Sequence, residues 1–290
     1  MKIIQNIKIL SFKLASWVKN RNRATQIAFF ILIGYLIMAI FGEAIAPYSP
    51  LEFDLKSKLL SPSLNHPFGT DQFGRDIFSR VIVGARSVIF ISSACTLVSV
   101  SIGAFIGMFS AYFGGKVDEF TMRCMDIIMA FPSLLLALLV MSTLGPSKLN
   151  LIISLTFVWA PKTSRIARSG IQSIRNAGFV EVARLRGQKT HSILYKELLP
   201  NIRGILSVEF CIRFAYSVLL ISSLGFLGMG VQPPTPDWGL MVREARDFIS
   251  FAPWLALFPA ITIGILIVSL NILSDGLWRD GKSFDAIGLK

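Results

Sequence analysis

Long apolar runs are the feature of this sequence that most constrains its fold. About 20 consecutive apolar residues are needed to span the hydrocarbon core of a bilayer, and six segments of the chain approach that length. A backbone in lipid must satisfy its own hydrogen bonds, so each segment is predicted to form a helix. We therefore predict an all-α integral membrane protein with six transmembrane helices. The predicted spans are residues 27–46, 88–112, 124–144, 149–159 with an extension towards 166, 205–227 and 253–274.

The composition agrees with a membrane protein. Hydrophobic residues make up 53% of the chain and charged residues 16%, against roughly 25% charged residues in typical soluble domains. Residues 1–46 imitate a signal peptide, with a basic segment, an apolar run and Ala44-Ile45-Ala46. The polar region is too long for a signal peptide and Pro47 follows directly, so we predict a retained first helix.

The distribution of charge predicts the topology. The net charge is +12, and it is concentrated in two segments: residues 1–26 carry six Lys or Arg and no acid, and residues 162–203 carry nine Lys or Arg against Glu181 and Glu197. The positive-inside rule then places both termini and residues 162–203 in the cytoplasm, and no nucleic-acid partner is expected. The predicted organisation is a cytoplasmic segment 1–26, a first helix 27–46, an external loop 47–87, a five-helix core 88–275 containing the cytoplasmic loop 162–203, and a cytoplasmic tail 276–290.

Several patterns that could carry chemistry are weak in this chain. Cys95, Cys124 and Cys211 lack the paired spacing of a disulfide framework or a metal site. His66 and His191 stand alone on opposite sides of the predicted membrane. The chain has no His-Glu-x-x-His or Gly-x-Ser-x-Gly pattern, so no catalytic residues are expected and an intramembrane enzyme is disfavoured.

Residues 276–283 match the letters of the phosphate-binding P-loop, GLWRDGKS. A genuine P-loop follows a strand and opens a helix whose N-terminal amides hold the phosphates. Here a predicted transmembrane helix precedes the match and seven residues follow it. We interpret it as a chance match and expect no nucleotide or other cofactor in this chain.

A short basic segment in the loop 162–203 is more informative. Residues 181–187 read EVARLRG, and Leu199-Pro200 follow twelve residues after Gly187. Gly187 is predicted to end a helix at positive φ, and Pro200 to end the segment by disfavouring helix at Leu199. The arrangement resembles the "EAA" loop of ABC-importer permeases, the cytoplasmic element that docks into a groove of the ATPase. Val182 and Glu197 depart mildly from that pattern, and Leu198 is expected to supply the apolar contact that Glu197 lacks.

Further motifs narrow the resemblance to the peptide/nickel branch of ABC-importer permeases, and within it to the second of the two permease subunits. The motifs run in the expected order from about residue 40 to 280. They are residues 66–80 (HPFGTDQFGRDIFSR), 111–115 (AYFGG), 130–133 (AFPS), 226–239 (FLGMGVQPPTPDWG), 254–259 (WLALFP) and 271–277 (NILSDGL).

This resemblance implies a type I ABC-importer permease fold in a bacterial cell membrane, with no catalysis in the chain itself. It implies a homologous permease as the partner in a heterodimer, two ABC ATPase subunits that bind ATP and magnesium, and an extracytoplasmic solute-binding protein. The implied cargo is a peptide, nickel or a metal-chelating small molecule. The alternative from the residues alone is a secondary transporter or channel that works without an ATPase.

The resemblance also implies two sets of contact residues. The loop at residues 230–238 contains three prolines and is therefore stiff, so it should lose little conformational entropy on binding a partner. The alternative is a structural re-entrant loop. The expected ATPase-coupling residues are Phe179, Glu181, Ala183, Arg184, Gly187, Leu199 and Pro200. The expected contacts to the binding protein are Gln232, Pro233, Pro234, Asp237 and Trp238.

Charged residues in or beside the apolar segments suggest further roles. Glu209 and Arg213 form an i, i+4 pair inside the fifth segment. Intramembrane charges usually face a cavity or each other, so the pair either lines the translocation path near its cytoplasmic end or neutralises itself near the helix start. Before the second segment, four charged residues are expected to form weak surface pairs on an interfacial helix. They are Asp71, Arg75, Asp76 and Arg80.

Small residues and prolines predict local features of the helices. Gly103 and Gly107 lie four residues apart in the second segment, which favours close helix packing. Pro132, Pro161 and Pro259 lie within or at the ends of segments and are expected to kink them.

Overall fold

A computed structural model describes residues 22–287, with side chains described up to residue 278. Most of the predicted basic segment 1–26, and the last three residues of the predicted tail, therefore lie outside the described residues. The helices of the described part are α1 Arg23–Ile45, α2 Ile77–Phe113, α3 Gly115–Met129, α4 Ser133–Leu144, α5 Lys148–Ile174, α6 Gly178–Leu185, α7 Leu199–Phe226, α8 Trp238–Ala245 and α9 Trp254–Ile287.

Helix α2 begins eleven residues before the predicted start of the second span, so the loop predicted at 47–87 ends at residue 76. The Asp76 side chain caps the helix by accepting the Ser79 backbone N–H at 2.7 Å. Sequence reasoning missed this start because the first turns of α2 carry Arg80 and Arg86, which interrupt the apolar run.

Close packing of α2 against α5 confirms the role predicted for the two glycines. A Cβ atom added at Gly103 would lie 2.5 Å from the backbone oxygen of Ala160, and one at Gly107 would collide with the backbone oxygen of Ser164. Only a residue without a side chain permits this approach. Helix α2 therefore packs along α5 over much of its length and forms the centre of the bundle.

The third predicted span, 124–144, is not one straight helix. Helices α3 and α4 meet at a bend of 85° that spans residues 130–132. Pro132 lies at this bend with an extended ψ of 129°. A proline disfavours helix at the residue before it and removes a backbone donor, so the chain breaks where a mild kink was expected.

Helix α5 is longer than the fourth predicted span and corrects the start of the predicted cytoplasmic loop 162–203. Residues 162–174 continue the helix. Two cations in this part of the helix are paired with α3: Arg168 Nη2 lies 2.5 Å from Asp118 Oδ2, and Arg165 pairs with Asp126. These cations therefore remain in a helix, because partners on a neighbouring helix neutralise them.

The number of membrane-crossing helices in the described part is lower than the predicted six by length and hydropathy. Four helical stretches meet both criteria: Arg23–Ile45, Ile77–Phe113, Thr190–Phe226 and Trp254–Trp278. The bent pair α3–α4 would make a fifth. Helix α5 has sufficient length, but its second half carries the charged side chains described above.

Helix α9 extends past the predicted end of the last span into the predicted tail. It runs from Trp254 to Ile287, and the P-loop look-alike at residues 276–283 lies within it. Gly276 packs against α1, where an added Cβ would lie 2.8 Å from Thr25 Cγ2. The loop that would cradle a phosphate is not formed, because these residues are helical.

The two ends of the bundle are built differently. The start of α2 and the end of α7 meet residues 47–76 and 228–253, which together we call the cap. The end of α2 and the start of α7 meet residues 178–200, which we call the coupling segment. An apolar cluster lies beneath each end, one around Trp238 and Tyr35 at the cap and one around Ile171 and Leu198 at the coupling segment.

Candidate coupling segment and translocation cavity

The coupling segment begins with the short amphipathic helix α6. Its inner face buries Val180 and Ala183. Its outer face exposes Phe179, Val182 and Leu185, with 41%, 44% and 82% of their surfaces accessible. Residues three apart share one face of a helix, so these three side chains form one exposed apolar ridge.

The ridge refines the predicted set of coupling residues. Phe179, Glu181 and Arg184 are exposed as a docking surface requires, whereas Ala183 belongs to the buried face. Leu185 was missed, although its spacing of three and six residues from Val182 and Phe179 is visible in the sequence. Ala183 therefore packs α6 onto the bundle.

The turn after α6 confirms the conformation predicted for Gly187. Its φ is +67°, a value that residues with a side chain rarely adopt. The Gly187 N–H donates to Arg184 O at 2.9 Å, and the Gln188 N–H donates to Ala183 O at 3.1 Å. These bonds satisfy carbonyls at the end of α6 and turn the chain back towards the bundle.

The end predicted for this segment at Leu199-Pro200 is wrong. Leu199 has helical angles, φ −57° and ψ −43°, and a π-helical turn at Ile193–Leu198 leads directly into α7. Pro200 therefore lies in the first turn of α7. A proline is tolerated there because the first N–H groups of a helix have no intrahelical partner.

Apolar contacts connect the coupling segment to three long helices. Leu198 is fully buried, which confirms the contact predicted beside Glu197. The cluster joins side chains of the coupling segment to the end of α2, the end of α5 and the start of α7. Its buried members are Ala104, Met108, Ala111, Ala167, Ile171, Val180, Ala183, Ile193, Leu194, Leu198 and Ile202. A displacement of α6 must therefore move these helices or leave voids in the packing.

Polar contacts reinforce the same connection. The Arg184 guanidinium lies 4.9 Å from the centre of the Tyr112 ring at the end of α2. Arg175 Nη1 donates to the Ala111 carbonyl at 2.9 Å. Arg184 thus holds the end of α2 against the coupling segment, and Arg175 holds it against the end of α5.

The predicted pair Glu209–Arg213 lies at a different position along its helix from the one expected. Both residues are near the middle of α7 and not at the start of the helix. The carboxylate is buried and accepts the Arg213 Nε–H at 2.6 Å and the Thr163 hydroxyl at 3.0 Å. The start of α7 was misplaced because its first two turns carry Asn201 and Arg203, which ended the apolar run in the sequence.

A cavity of about 510 Å³ opens beside this pair, between α4, α5 and α7. Lys162 also lines it, at the middle of α5, and its Nζ donates to Ser133 Oγ at 3.0 Å. Sequence reasoning used Lys162 to end a span and so missed it as a cavity residue. The i, i+3 spacing of Trp159 and Lys162, which brings the cation over the ring at 4.7 Å, was the available signal.

Only some of the residues expected to contact a binding protein are exposed in the loop at residues 226–239. Gln232, Pro233 and Pro234 are exposed, but Asp237 and Trp238 are fully buried. Trp238 was predicted as an aromatic residue at the interface. Instead it packs in the cap cluster, and its Nε1–H donates to Val81 O at 2.9 Å. A buried indole needs such an acceptor, so Trp238 stabilises the cap.

Asp237 has an equally structural role. Its carboxylate caps α8 by accepting the Gly239 N–H at 3.0 Å and the Leu240 N–H at 3.3 Å, and it accepts the Ser87 hydroxyl at 3.2 Å. Burial raises the pKa of Asp237 to about 6, against the three hydrogen bonds that lower it. The side chain joins the loop to α2.

The prediction of weak surface pairs in residues 66–80 is wrong. Asp71, Arg75 and Arg80 are each less than 7% exposed. Asp71 Oδ2 accepts from Arg75 Nε at 2.6 Å and Arg80 Nη1 at 2.5 Å. Glu244 Oε2 on α8 accepts from both arginines at 3.0 Å. The charges form one buried network, which the sequence could not show because Glu244 is distant in the chain.

Asp76 also differs from the prediction. It is the buried N-cap residue of helix α2, and its Oδ1 lies 2.9 Å from His66 Nδ1. In the described part of the chain, no three His, Cys, Asp or Glu residues come together in a geometry that could hold a metal ion.

Comparison with known families decides the identity of this helical bundle. Residues 99–279 match the family described as binding-protein-dependent transport system inner membrane component. The chain belongs to this family. Residues 20–62 match the N-terminal transmembrane domain of oligopeptide transport permease C, which covers α1 and the first part of the cap.

Curated relatives place the permease among peptide-type importers. It is 35% identical to a dipeptide transport system permease protein of Alkalihalophilus pseudofirmus, over 89% of this chain and 84% of that protein. It is 39% identical to a glutathione transport system permease protein of Escherichia coli, over 89% of this chain and 86% of that protein. The permease is thus a multi-pass inner-membrane subunit of an ABC importer.

Solved structures agree on the fold. An inward-facing structure of the MetNI methionine ABC transporter aligns with a TM-score of 0.52 at 20% identity, over 68% of the permease and 95% of the solved chain. The permease therefore has the type I importer fold, and ATP hydrolysis lies in a partner chain. Family membership decides against the alternative of a secondary transporter, although three charged side chains do lie near mid-helix.

Proposed function

We propose that this permease forms a heterodimer with a homologous permease and imports short peptides. The names of the dipeptide and glutathione relatives support a peptide cargo. Nickel and metal-chelating small molecules remain part of the proposed cargo range of the branch, without support from those relatives. An extracytoplasmic binding protein delivers the cargo, and two ABC ATPase subunits, which bind the ATP and magnesium, drive its release across the membrane.

The exposed apolar ridge of α6 carries the proposed coupling to the ATPase. Three large apolar side chains face away from the bundle on a helix of eight residues. Such a ridge fits a groove on a partner, since burying it there removes apolar surface from water. The inner face of the same helix packs on α2, α5 and α7 through the cluster at Ile171 and Leu198.

The coupling segment transmits closure of the ATPases to the bundle. When the grooves move, α6 moves with them, and the tightly packed cluster shifts the ends of the long helices. This favours one of two global states, inward- or outward-facing, through contacts that differ between them. The permease itself makes and breaks no covalent bond.

The topology follows from this assignment. The proposed orientation has the coupling segment and both chain termini in the cytoplasm, as the excess of Lys and Arg in residues 1–26 and 162–203 supports. The cap then faces outward. Its exposed Gln232, Pro233 and Pro234 are the proposed contacts to the binding protein.

Replacement of Leu185 by Asp tests the coupling proposal. Leu185 is 82% exposed, so the change leaves the permease core intact but places a charge on the ridge. We expect the ATPase subunits to be lost when the tagged permease is purified, and ATP-driven peptide uptake to fall at least tenfold. Leu64→Asp is the matched control, because Leu64 is fully exposed at the cap and should leave the ATPases bound. Retention of the ATPases and normal uptake in Leu185→Asp would refute the assignment.

A further inference from the structure

The cavity between α4, α5 and α7 contains an unbalanced positive charge. Arg213 is neutralised by the buried Glu209 carboxylate at 2.6 Å. Lys162 has a hydroxyl partner, Ser133 Oγ at 3.0 Å, but no ion pair in the described part of the chain. Lys162 and Arg213 line the cavity, and the carboxylate beside them, Glu209, already pairs with Arg213.

Lys162 differs in this respect from the next two cations of α5. Arg165 pairs with Asp126 and Arg168 with Asp118, both on α3. An ionised side chain in the middle of a membrane-spanning bundle is costly unless it has a partner or faces water. The structure thus neutralises two neighbouring charges on the same helix and leaves Lys162 for a group outside the chain.

Aromatic rings hold the two cations at the cavity wall. Lys162 Nζ lies 4.7 Å from the centre of the Trp159 ring, and the Arg213 guanidinium carbon lies 5.4 Å from the same centre. The guanidinium also lies 5.5 Å from the Tyr216 ring. These cation–π contacts fix the positions of the cations without cancelling their charge.

Hydrogen-bond donors at the cavity wall also lack acceptors within the described part of the chain. Arg213 donates through Nε to Glu209, and its other guanidinium donors have no hydrogen-bond partner among the described residues. A buried donor without an acceptor is costly. An anion with several acceptor oxygens is the group that meets both the charge and the donors.

We propose that Lys162 and Arg213 form an anion subsite that receives the carboxylate of the peptide during transport. This inference rests on the proposed function, because it assumes that peptide cargo passes through the cavity. A carboxylate accepts charge-assisted hydrogen bonds from both lysine and arginine. The cavity volume of about 510 Å³ leaves room for a dipeptide beside the apolar Leu134 and Leu220.

A reactive cysteine at Ser133 tests the charge of the cavity directly. The assembled importer is reconstituted in vesicles, with Cys95, Cys124 and Cys211 replaced by alanine and Ser133→Cys introduced next to Lys162. Two methanethiosulfonate reagents are compared, one carrying a sulfonate and one a trimethylammonium group. We expect the sulfonate reagent to react faster, and Lys162→Gln to lower the ratio of the two rates about tenfold, which corresponds to about 1.4 kcal/mol.

Two variants control this measurement. Lys162→Arg keeps the charge and should keep the ratio. Lys148→Gln removes a charge at the far end of the same helix and should leave the ratio unchanged. A ratio that Lys162→Gln does not lower would overturn the subsite. If Lys162→Gln does not assemble, the double variant Lys162→Met, Arg213→Lys takes its place. A wild-type ratio of the two reaction rates in the assembled double variant would also overturn the subsite.

Protection by ligands identifies the anion. Alanylalanine should slow the reaction of the sulfonate reagent with Ser133→Cys, and alanylalanine amide, which lacks the carboxylate, should slow it much less. Equal protection by the two compounds, or protection by phosphatidylglycerol and not by the dipeptide, would overturn the assignment to cargo. ATP-driven uptake by the wild-type importer is measured separately. A failure of uptake with the anion preference intact would count against the proposed function and not against the anion preference.

Discussion

The cap and the coupling segment close opposite ends of the same bundle in opposite ways. In the cap, the charges of Asp71, Arg75 and Arg80 are buried and satisfied by Glu244 of the same chain. In the coupling segment, the inner face of α6 is buried and the outer ridge is left exposed. The buried charges of the cap are thus neutralised within one chain, whereas the apolar ridge of α6 has no cover among the described residues.

The difference teaches where mutations should act. A change in the cap removes a contact that the folded permease already makes, so it should lower stability. A change on the outer surface of the coupling segment removes a contact that exists only in the assembled importer, so it should lower transport with little effect on the folded permease. Four experiments challenge this division, in order of decreasing expected effect.

The largest effect is expected from Arg80→Met in the cap. The change leaves Asp71 and Glu244 with one cation in place of two in a buried network, and breaking a buried ion pair costs about 3–5 kcal/mol. We expect a much lower yield of monodisperse permease and a lower unfolding temperature in detergent.

The exposed pair Arg123–Glu119 supplies the control. Both side chains are more than 60% exposed, and such pairs contribute about 0–1 kcal/mol. Arg123→Met should therefore unfold at nearly the wild-type temperature. Similar losses in the two variants would show that the buried network adds nothing beyond a surface pair.

The next effect concerns the pH dependence of the cap. The folded pKa of Asp237 is raised to about 6, above its usual value of about 3.9. Between these values the folded state binds more protons than the unfolded state, so this group makes stability fall as pH rises from about 4 to 6 and adds no slope above that. Asp237→Asn keeps an oxygen to cap α8 and should remove this contribution.

The measurement is the unfolding temperature of wild type and Asp237→Asn at pH 4.5, 6 and 7.5. The difference between the two proteins should shift in favour of Asn as pH rises, by up to about 3 kcal/mol for two pKa units. A pH-independent difference would mean that the buried carboxyl does not titrate in this range.

A smaller change in free energy, but a large change in transport, is expected from Gly187→Val in the coupling segment. No atom lies within 4 Å of an added Cβ at Gly187, so the cost is backbone strain at φ +67°, about 1–2 kcal/mol. The strain should redirect the turn and the ridge of α6. Peptide uptake should collapse while the permease still inserts and keeps its unfolding temperature within a few degrees.

Gly187→Asn is the matched variant, because asparagine tolerates positive φ better than other residues. It should retain most of the uptake. Equal uptake by the valine and asparagine variants would show that the conformation of this turn does not affect coupling. The proposed difference between the cap and the coupling segment would then be wrong.

The smallest effect is expected from Lys282→Ala in the P-loop look-alike. These residues continue helix α9, so no phosphate-binding loop is available. Uptake should stay near the wild-type rate, and the purified permease alone should bind no ATP analogue. Binding of an ATP analogue that Lys282→Ala abolishes would contradict this expectation, and the corresponding lysine of the ATPase subunit provides a positive control.

Local patterns in the sequence predicted several features that the structure retains. The positive φ of Gly187, the close packing at Gly103 and Gly107, and the apolar contact of Leu198 depend on one residue and its near neighbours. Hydropathy was less reliable for the bounds of helices. It limited the fourth span to residues 149–159 with an extension towards 166 and started the second at residue 88, because a single-sequence pattern counts every charge as exposed.

The sequence by itself determined the helical membrane class, the concentration of positive charge in residues 1–26 and 162–203, and the turn at the coupling segment, because these properties depend on composition and local backbone preferences. Only the tertiary structure decided which charges are neutralised. Arg75 meets Glu244 across 169 residues, and Arg168 meets Asp118 across 50. Lys162 has no ion pair among residues 22–278, because the acids of α3 and α7 that pair with cations of α5 and α7 lie beside Arg165, Arg168 and Arg213. The energy of a charge depends on its neighbours in space, and the order of residues along the chain does not specify them.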